Sequence, residues 1–101
     1  MIHVIPTIRT ASDRRADFLT VFGELLPLVR AEAGCLEYGP TIDLDTPLSG
    51  LPVRADVVTV VEKWASATAL RDHLAAPHMA SFRETVKDIV MGLEIRVLEP
   101  A

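Results

Sequence analysis

Hydrophobic positions along the chain recur with two different periods. Ile2 to Arg9 sets Ile2, Val4 and Ile8 against His3, Ile5 and Thr7, the two-residue repeat of a strand, and Pro6 within it suits an edge or a bulge because it has no N–H to donate. From Phe18 the repeat lengthens. Phe18, Phe22, Leu25 and Val29 recur every three or four residues as one helical stripe, with Ser12 or Asp13 placed to cap it. Pro27 predicts a kink near Gly23, and Gly34 is the expected stop. Cys35 to Asp43 alternates again, with Leu36, Tyr38 and Ile42 on one side and Cys35, Glu37 and Thr41 on the other. Residues 45–52 are rich in turn formers and read as a loop. Val57 to Trp64 is the strongest strand signal. Ser66 then caps a short helix through Ala76, Pro77 opens another with Met79, Phe82, Val86 and Ile89 as its stripe, and Leu93 to Leu98 forms a last strand.

The order β-α-β-β-α-β predicts an α+β fold, the ferredoxin-like arrangement of a four-stranded antiparallel sheet with helices on one face, formed by residues 1–101 as one domain. In a monomer the bare sheet face should be polar. Here Val57 and Val61 point opposite to Val58 and Val60, and Ile5 and Leu98 are apolar on the nominally polar side of their strands. Both faces therefore call for cover, and a second copy packed sheet against sheet is the economical one, so a homodimer is expected.

Composition narrows the function classes. With 50% hydrophobic and 24% charged residues the chain has the balance of a packed domain rather than a disordered one. Fourteen acidic against ten basic residues, a net charge of -4, offer no basic surface to a phosphate backbone, which argues against nucleic acid as a partner. The single cysteine, Cys35, has no intramolecular disulfide partner and fits a reducing compartment. Neither a signal-peptide pattern nor an apolar run of the ~20 residues needed to span a bilayer is present, and a cytoplasmic protein is expected.

Most catalytic signatures are absent. The five glycines never form G-x-G-x-x-G, Pro40 follows Gly39 where a P-loop needs lysine, and no serine sits in G-x-S-x-G. His73 and His78 are separated by five positions and a proline, not by the i, i+4 spacing of a helical metal pair, and no third ligand clusters with them in sequence, so no metal is expected. The remaining polar and aromatic candidates are Glu62, Trp64, His73, His78 and Tyr38. Glu62 and Trp64 share a strand face, and His73 follows Leu70 by three residues, beside the buried stripe of its helix. A carboxylate, an indole and an imidazole can thus converge on one apolar cavity, which suits a flat organic ligand whose acidic proton an imidazole of unperturbed pKa ~6.5 can accept. The plainer alternatives are a Glu62 ion pair with Arg71 or Arg96 and a purely structural Trp64.

Three segments carry a family resemblance: Val61-Glu62-Lys63-Trp64-Ala65-Ser66, Ala69-Leu70-Arg71-Asp72-His73-Leu74, and Ala76-Pro77-His78-Met79 with Phe82. Together they resemble the antibiotic biosynthesis monooxygenase family, in its quinol-monooxygenase-like branch. The run Ala31 to Tyr38 resembles that family's junction between first helix and second strand. The resemblance implies a dimeric α/β barrel and a monooxygenase that needs no cofactor, in which a deprotonated quinol or polycyclic phenol itself reduces O2. His73 matches the family's base or orienting histidine, with Glu62 beside it as the second catalytic candidate. Trp64 matches a cavity-lining tryptophan, and Tyr38, His78, Met79 and Phe82 complete the expected substrate-binding set. The haem-degrading branch also uses an asparagine on its first strand, and this chain contains no asparagine. Two other activities suit the same cavity: isomerisation of a small carbonyl metabolite, and ligand binding without catalysis by a dimer. The segment from Asp43 to Arg54 is longer than is usual in the family.

Overall fold

The alternating stretches pair into one antiparallel sheet. In the computed structural model, which describes residues 1–101, the elements run β1 (Ile2–Thr10), α1 (Arg15–Arg30), β2 (Cys35–Thr41), β3 (Val57–Trp64), α2 (Ala67–Leu74), α3 (Pro77–Val86) and β4 (Val90–Leu98). The sheet order is β2-β3-β1-β4, so the two central strands, β3 and β1, are the most buried ones and β2 and β4 are edges. Helices lie on one face. This is the ferredoxin-like α+β fold that the element order predicts.

The core is the helix-facing side of the sheet. Val4 and Ile8 of β1 and Val58, Val60 and Trp64 of β3 meet Phe18, Phe22, Leu25 and Val29, the stripe of α1, all buried. Aromatic rings knit the layers together: Phe22 stacks on Tyr38 with centroids 5.6 Å apart, and Phe82 of α3 meets both Phe18 and Phe22 edge-on at 5.7 Å.

Local chemistry at the helix ends departs from expectation in one place. Neither Ser12 nor Asp13 caps α1; Arg14 occupies the N-cap without a side-chain capping bond. Asp13 instead takes a left-handed conformation (φ 63°), tolerable for Asp, and donates its N–H to Asp56 at 3.3 Å. The helix runs on through Pro27 to Arg30, since a proline this close to the C-terminus removes only one backbone bond. Ser66 does cap α2, its hydroxyl accepting from the Ala69 N–H at 3.1 Å, and Pro77 opens α3.

Two strands also differ from the sequence reading. Pairing slips between Cys35, opposite Trp64, and Glu37, opposite Lys63, so one extra residue bulges out of β2. Leu36 is that residue. It is exposed rather than on the Tyr38 face, and Cys35 takes the core side instead. β4 starts three residues early, at Val90, and a shift in its pairing with β1 near Thr10 accommodates this.

The sheet face turned away from the helices is less apolar than its valines suggest. His3, Thr7, Thr59, Lys63 and Glu37 surround Ile5 and Val61, and a Lys63–Glu37 ion pair of 3.3 Å lies across it. The row of apolar side chains left without cover is on the other side, where the helices stop short of β4. Leu93, Ile95 and Val97, paired with the core residues Ile8, Pro6 and Val4, remain 47–56% exposed. The long β2–β3 loop is closed at its base by Asp43 and Arg54, whose guanidinium is bound at 2.8 and 2.9 Å and whose N–H is bound at 3.0 Å. These bonds hold Asp43 down at about 2. No helix is long and apolar enough to cross a membrane.

Gly34 ends the turn after α1 for two reasons. Its φ of +82° is left-handed, and an added Cβ would stand 2.6 Å from the Ala69 Cβ of α2. Gly34→Ala is expected to cost roughly 2–4 kcal/mol from strain and overpacking together, read as a lower denaturation midpoint with unchanged slope. A midpoint equal to wild type would show that α2 yields freely at this contact.

Candidate active site

The end of β3, the turn before β2 and the α2–α3 corner meet at one buried cluster. Trp64 packs against His73 with ring centroids 4.5 Å apart and the planes tilted by 33°, and Tyr38 stands edge-on to both. On β3 the alternation that buries Trp64 also buries Glu62, and the indole Nε1–H donates to Glu62 Oε1 at 2.8 Å. Neither Arg71 nor Arg96 pairs with this carboxylate. Burial pushes Glu62 up to about 7, with the nearby Glu32 charge raising it further and the Trp64 N–H acting against both.

His73 is held from behind. Its Nδ1 lies 2.8 Å from Glu32 Oε2, and the same oxygen is 3.0 Å from His78 Nε2. With both nitrogens donating, a single carboxylate oxygen fixes the Nδ1–H tautomer of His73 and leaves Nε2 with its lone pair free. Burial is the main influence on the His73 pKa and lowers it, the Glu32 bond opposing and the His78 and Arg83 charges adding to the fall, so the imidazole is neutral at pH 7. The sequence alone does not mark Glu32 as a site residue. It sits in the turn before Gly34, far along the chain from α2, and its only sequence signal is an acidic side chain beside a tight turn in the segment that resembles the family junction.

A cavity of about 140 Å3 opens in front of this cluster. Glu62, His73 and Tyr38 form its polar end, Phe22, Leu70, Met79 and Phe82 its helix side, and Leu93, Ile95 and Val97 its outer edge. Every buried side-chain N or O in the protein has a partner. Glu62 Oε2, His73 Nε2 and the Tyr38 hydroxyl have none, so these three atoms reach open space, and the space their residues line is the cavity. Burial keeps the Tyr38 hydroxyl protonated by raising its pKa well above the usual tyrosine value, and the Cys35 thiol is likewise raised.

Of the residues expected at a site, the structure brings Glu62, His73, Tyr38, Met79 and Phe82 to the cavity wall. Trp64 is fully buried behind Glu62 and His73 and does not reach the wall. His78 lies outside the wall too, on the far side of Glu32. Sequence spacing gave the two histidines no third neighbour, yet Glu32, His73 and His78 bring ligand atoms within 4.8 Å of one another, a donor set of the type that holds a divalent cation. The hydrogen bonds through Glu32 already satisfy these atoms without one.

The raised Glu62 pKa has a stability consequence. Between the unfolded value near 4.5 and the folded value of about 7, the folded chain keeps a proton that the unfolded chain has lost, so stability falls as pH rises through this window, by roughly 3 kcal/mol in full. Glu62→Gln is expected to remove this fall: relative to wild type the variant gains stability between pH 5 and pH 8. Parallel denaturation midpoints across that range would rule the shift out.

Comparisons with known proteins agree with this architecture. Residues 1–85 match the model of the family described as antibiotic biosynthesis monooxygenase. A protein of Escherichia coli (strain K12) named probable quinol monooxygenase YgiN is 35% identical to this chain, the alignment covering 99% of this chain and 98% of that one, and its namesake in Shigella flexneri matches equally. Among solved structures, PA3566 from Pseudomonas aeruginosa superposes with a TM-score of 0.83 at 23% identity, covering 99% of this chain and 93% of that one. Rv0793 from Mycobacterium tuberculosis superposes at 0.81 with 23% identity, covering 99% and 94%. With the fold, the His73–Glu62 cavity and a family match over most of its length, the chain belongs to the antibiotic biosynthesis monooxygenase family.

Proposed function

We propose that this protein is a cofactor-independent monooxygenase that oxidises a quinol or polycyclic phenol with O2. The observation that carries this reading is the unpartnered Nε2 of a neutral His73, backed by Glu32 and facing an apolar cavity beside Glu62 and Tyr38. Similarity to a relative named as a probable quinol monooxygenase supports the substrate class.

In this reading Nε2 takes a phenolic proton from the bound quinol, and the resulting electron-rich anion reduces O2 directly. One quinol and one O2 give a hydroxyquinone and water: the substrate supplies all four electrons, one oxygen atom enters the ring and the other leaves as water. Glu62, which titrates near neutrality, is suited to hold or return a proton during this sequence, and the protonated Tyr38 hydroxyl to donate to a substrate oxygen. Aromatic walls orient the ring and keep water out.

A homodimer belongs to the same proposal, because Leu93, Ile95 and Val97 at the outer edge of the cavity, together with Leu44, Leu48 and Leu51 on the β2–β3 loop, leave apolar surface that a second copy would cover. Light scattering at micromolar concentration should return twice the chain mass, and a single-chain mass would sink this part.

The test of the activity is oxygen uptake with a panel of hydroquinones and polycyclic phenols in the presence of chelator, after subtraction of spontaneous autoxidation. Saturable, protein-dependent uptake is expected. No uptake across the panel, with conversion of a small carbonyl compound at equal rates with and without oxygen, would replace the oxygenase by an isomerase.

A further inference from the structure

The cavity continues beyond Phe82 into a groove of about 310 Å3 between α3 and β4, and Ile8, Phe82, Arg83 and Leu93 line both. Arg83 thus stands where cavity and groove join. Its guanidinium is pinned there, Nη2 donating at 2.6 Å to the carbonyl of Leu74, the last residue of α2, whose oxygen receives no helical N–H.

A carbonyl leaves the charge of Arg83 uncompensated. Lys87, the C-cap residue just past α3 and also on the groove, is held by Glu84 at 2.6 Å, whereas no carboxylate lies within ion-pair distance of Arg83. A guanidinium offers five N–H donors in a planar fork, and only one is engaged here. Arg83 is solvent-exposed, and the side chains Ile8, Phe82 and Leu93 that line cavity and groove with it are apolar, so its free donors are the uncompensated charge at an otherwise apolar mouth.

We propose that Arg83 is a specificity-determining residue that receives an anionic substituent of the substrate, so that the preferred ligand is an aromatic carboxylate whose ring enters the cavity toward His73. This rests on the functional reading above and narrows its substrate class. An apolar cavity accepts the ring system of a neutral and of an acidic phenol alike; the unpaired fork at its mouth is what separates them. The influence of Arg83 on His73 is consistent with this placement, since the same positive charge that disfavours a protonated imidazole favours an anion bound between the two.

The experiment compares binding of 1-hydroxy-2-naphthoate and 1-naphthol, neither of them a quinol, by calorimetry and by the fluorescence of Trp64, the only tryptophan. Wild type is expected to bind the carboxylate at least about tenfold more tightly, in a salt-dependent manner. Arg83→Met should bring its affinity down to that of 1-naphthol while leaving 1-naphthol within about twofold, and Arg83→Lys should retain part of the preference because it keeps the charge without the fork. Equal affinities in wild type, a loss shared by both probes in Arg83→Met, or binding of neither probe would overturn the proposal. Oxygen uptake is read separately with neutral hydroquinones. Carboxylate selectivity without uptake keeps the anion site and removes the oxygenase, and uptake without selectivity does the reverse.

Discussion

Under the proposed oxygenase activity, replacing His73 with alanine is expected to lower kcat/KM for quinol oxidation by about 10²–10⁴-fold, the range for losing a positioned general base. Alanine also opens a void against Trp64, whose ring lies 4.5 Å from the imidazole, so some stability is lost with the base. His73→Gln separates the two effects: it fills much of the volume but has no basic nitrogen. The catalytic loss should be as large in glutamine as in alanine and the stability loss smaller. Activity retained in His73→Gln would assign His73 to the structure and remove it from the chemistry. The pH profile gives an independent reading. Because burial lowers the His73 pKa, the acid limb of kcat/KM should lie below pH 6.5.

The largest stability effect is expected at Trp64. Its side chain has no exposed surface and contacts Tyr38 and His73, so Trp64→Ala should cost about 3–5 kcal/mol and show as a collapse of the denaturation midpoint. Trp64→Phe is the more informative variant. It keeps most of the packing and removes only the indole N–H that Glu62 Oε1 accepts at 2.8 Å, a loss of about 1–3 kcal/mol. Without that donor nothing opposes the burial of the carboxylate, and its pKa should rise above the present value of about 7. The folded variant then holds its proton to higher pH, so its stability deficit against wild type widens from pH 5 to pH 8. An unchanged deficit across that range would mean that the N–H does not act on the ionised Glu62.

Both predictions concern a cluster that was only half legible in the chain. The strand alternation Glu62-Lys63-Trp64 is a local property, and it correctly puts the acid and the indole on one face. Depth is not local. Whether a large aromatic lines a cavity or backs it depends on what the helices place in front, and here Glu62 and His73 stand between Trp64 and the open space. Glu32 is not legible along the chain for a related reason: a turn residue becomes the anchor of two imidazoles only when α2 and α3 fold back over the α1–β2 turn. Arg83 reads along the chain as one more solvated helix residue, and its lack of a carboxylate partner exists only in three dimensions.

Periodicity by itself determined the elements, their order and the sheet-and-helix layering, because burying one face of each element is a requirement that neighbouring residues must satisfy together. It also placed Ser66 and Pro77 at their helix starts, where side-chain chemistry acts within a few residues. The tertiary structure decided the rest: the bulge that expels Leu36, the polar character of the outer sheet face, the uncovered row on β4, and the hydrogen bonds from Glu32 that leave His73 Nε2 facing the cavity. Each depends on contacts between segments distant in sequence, whose geometry is set by packing and strand register rather than by the preferences of the residues in them.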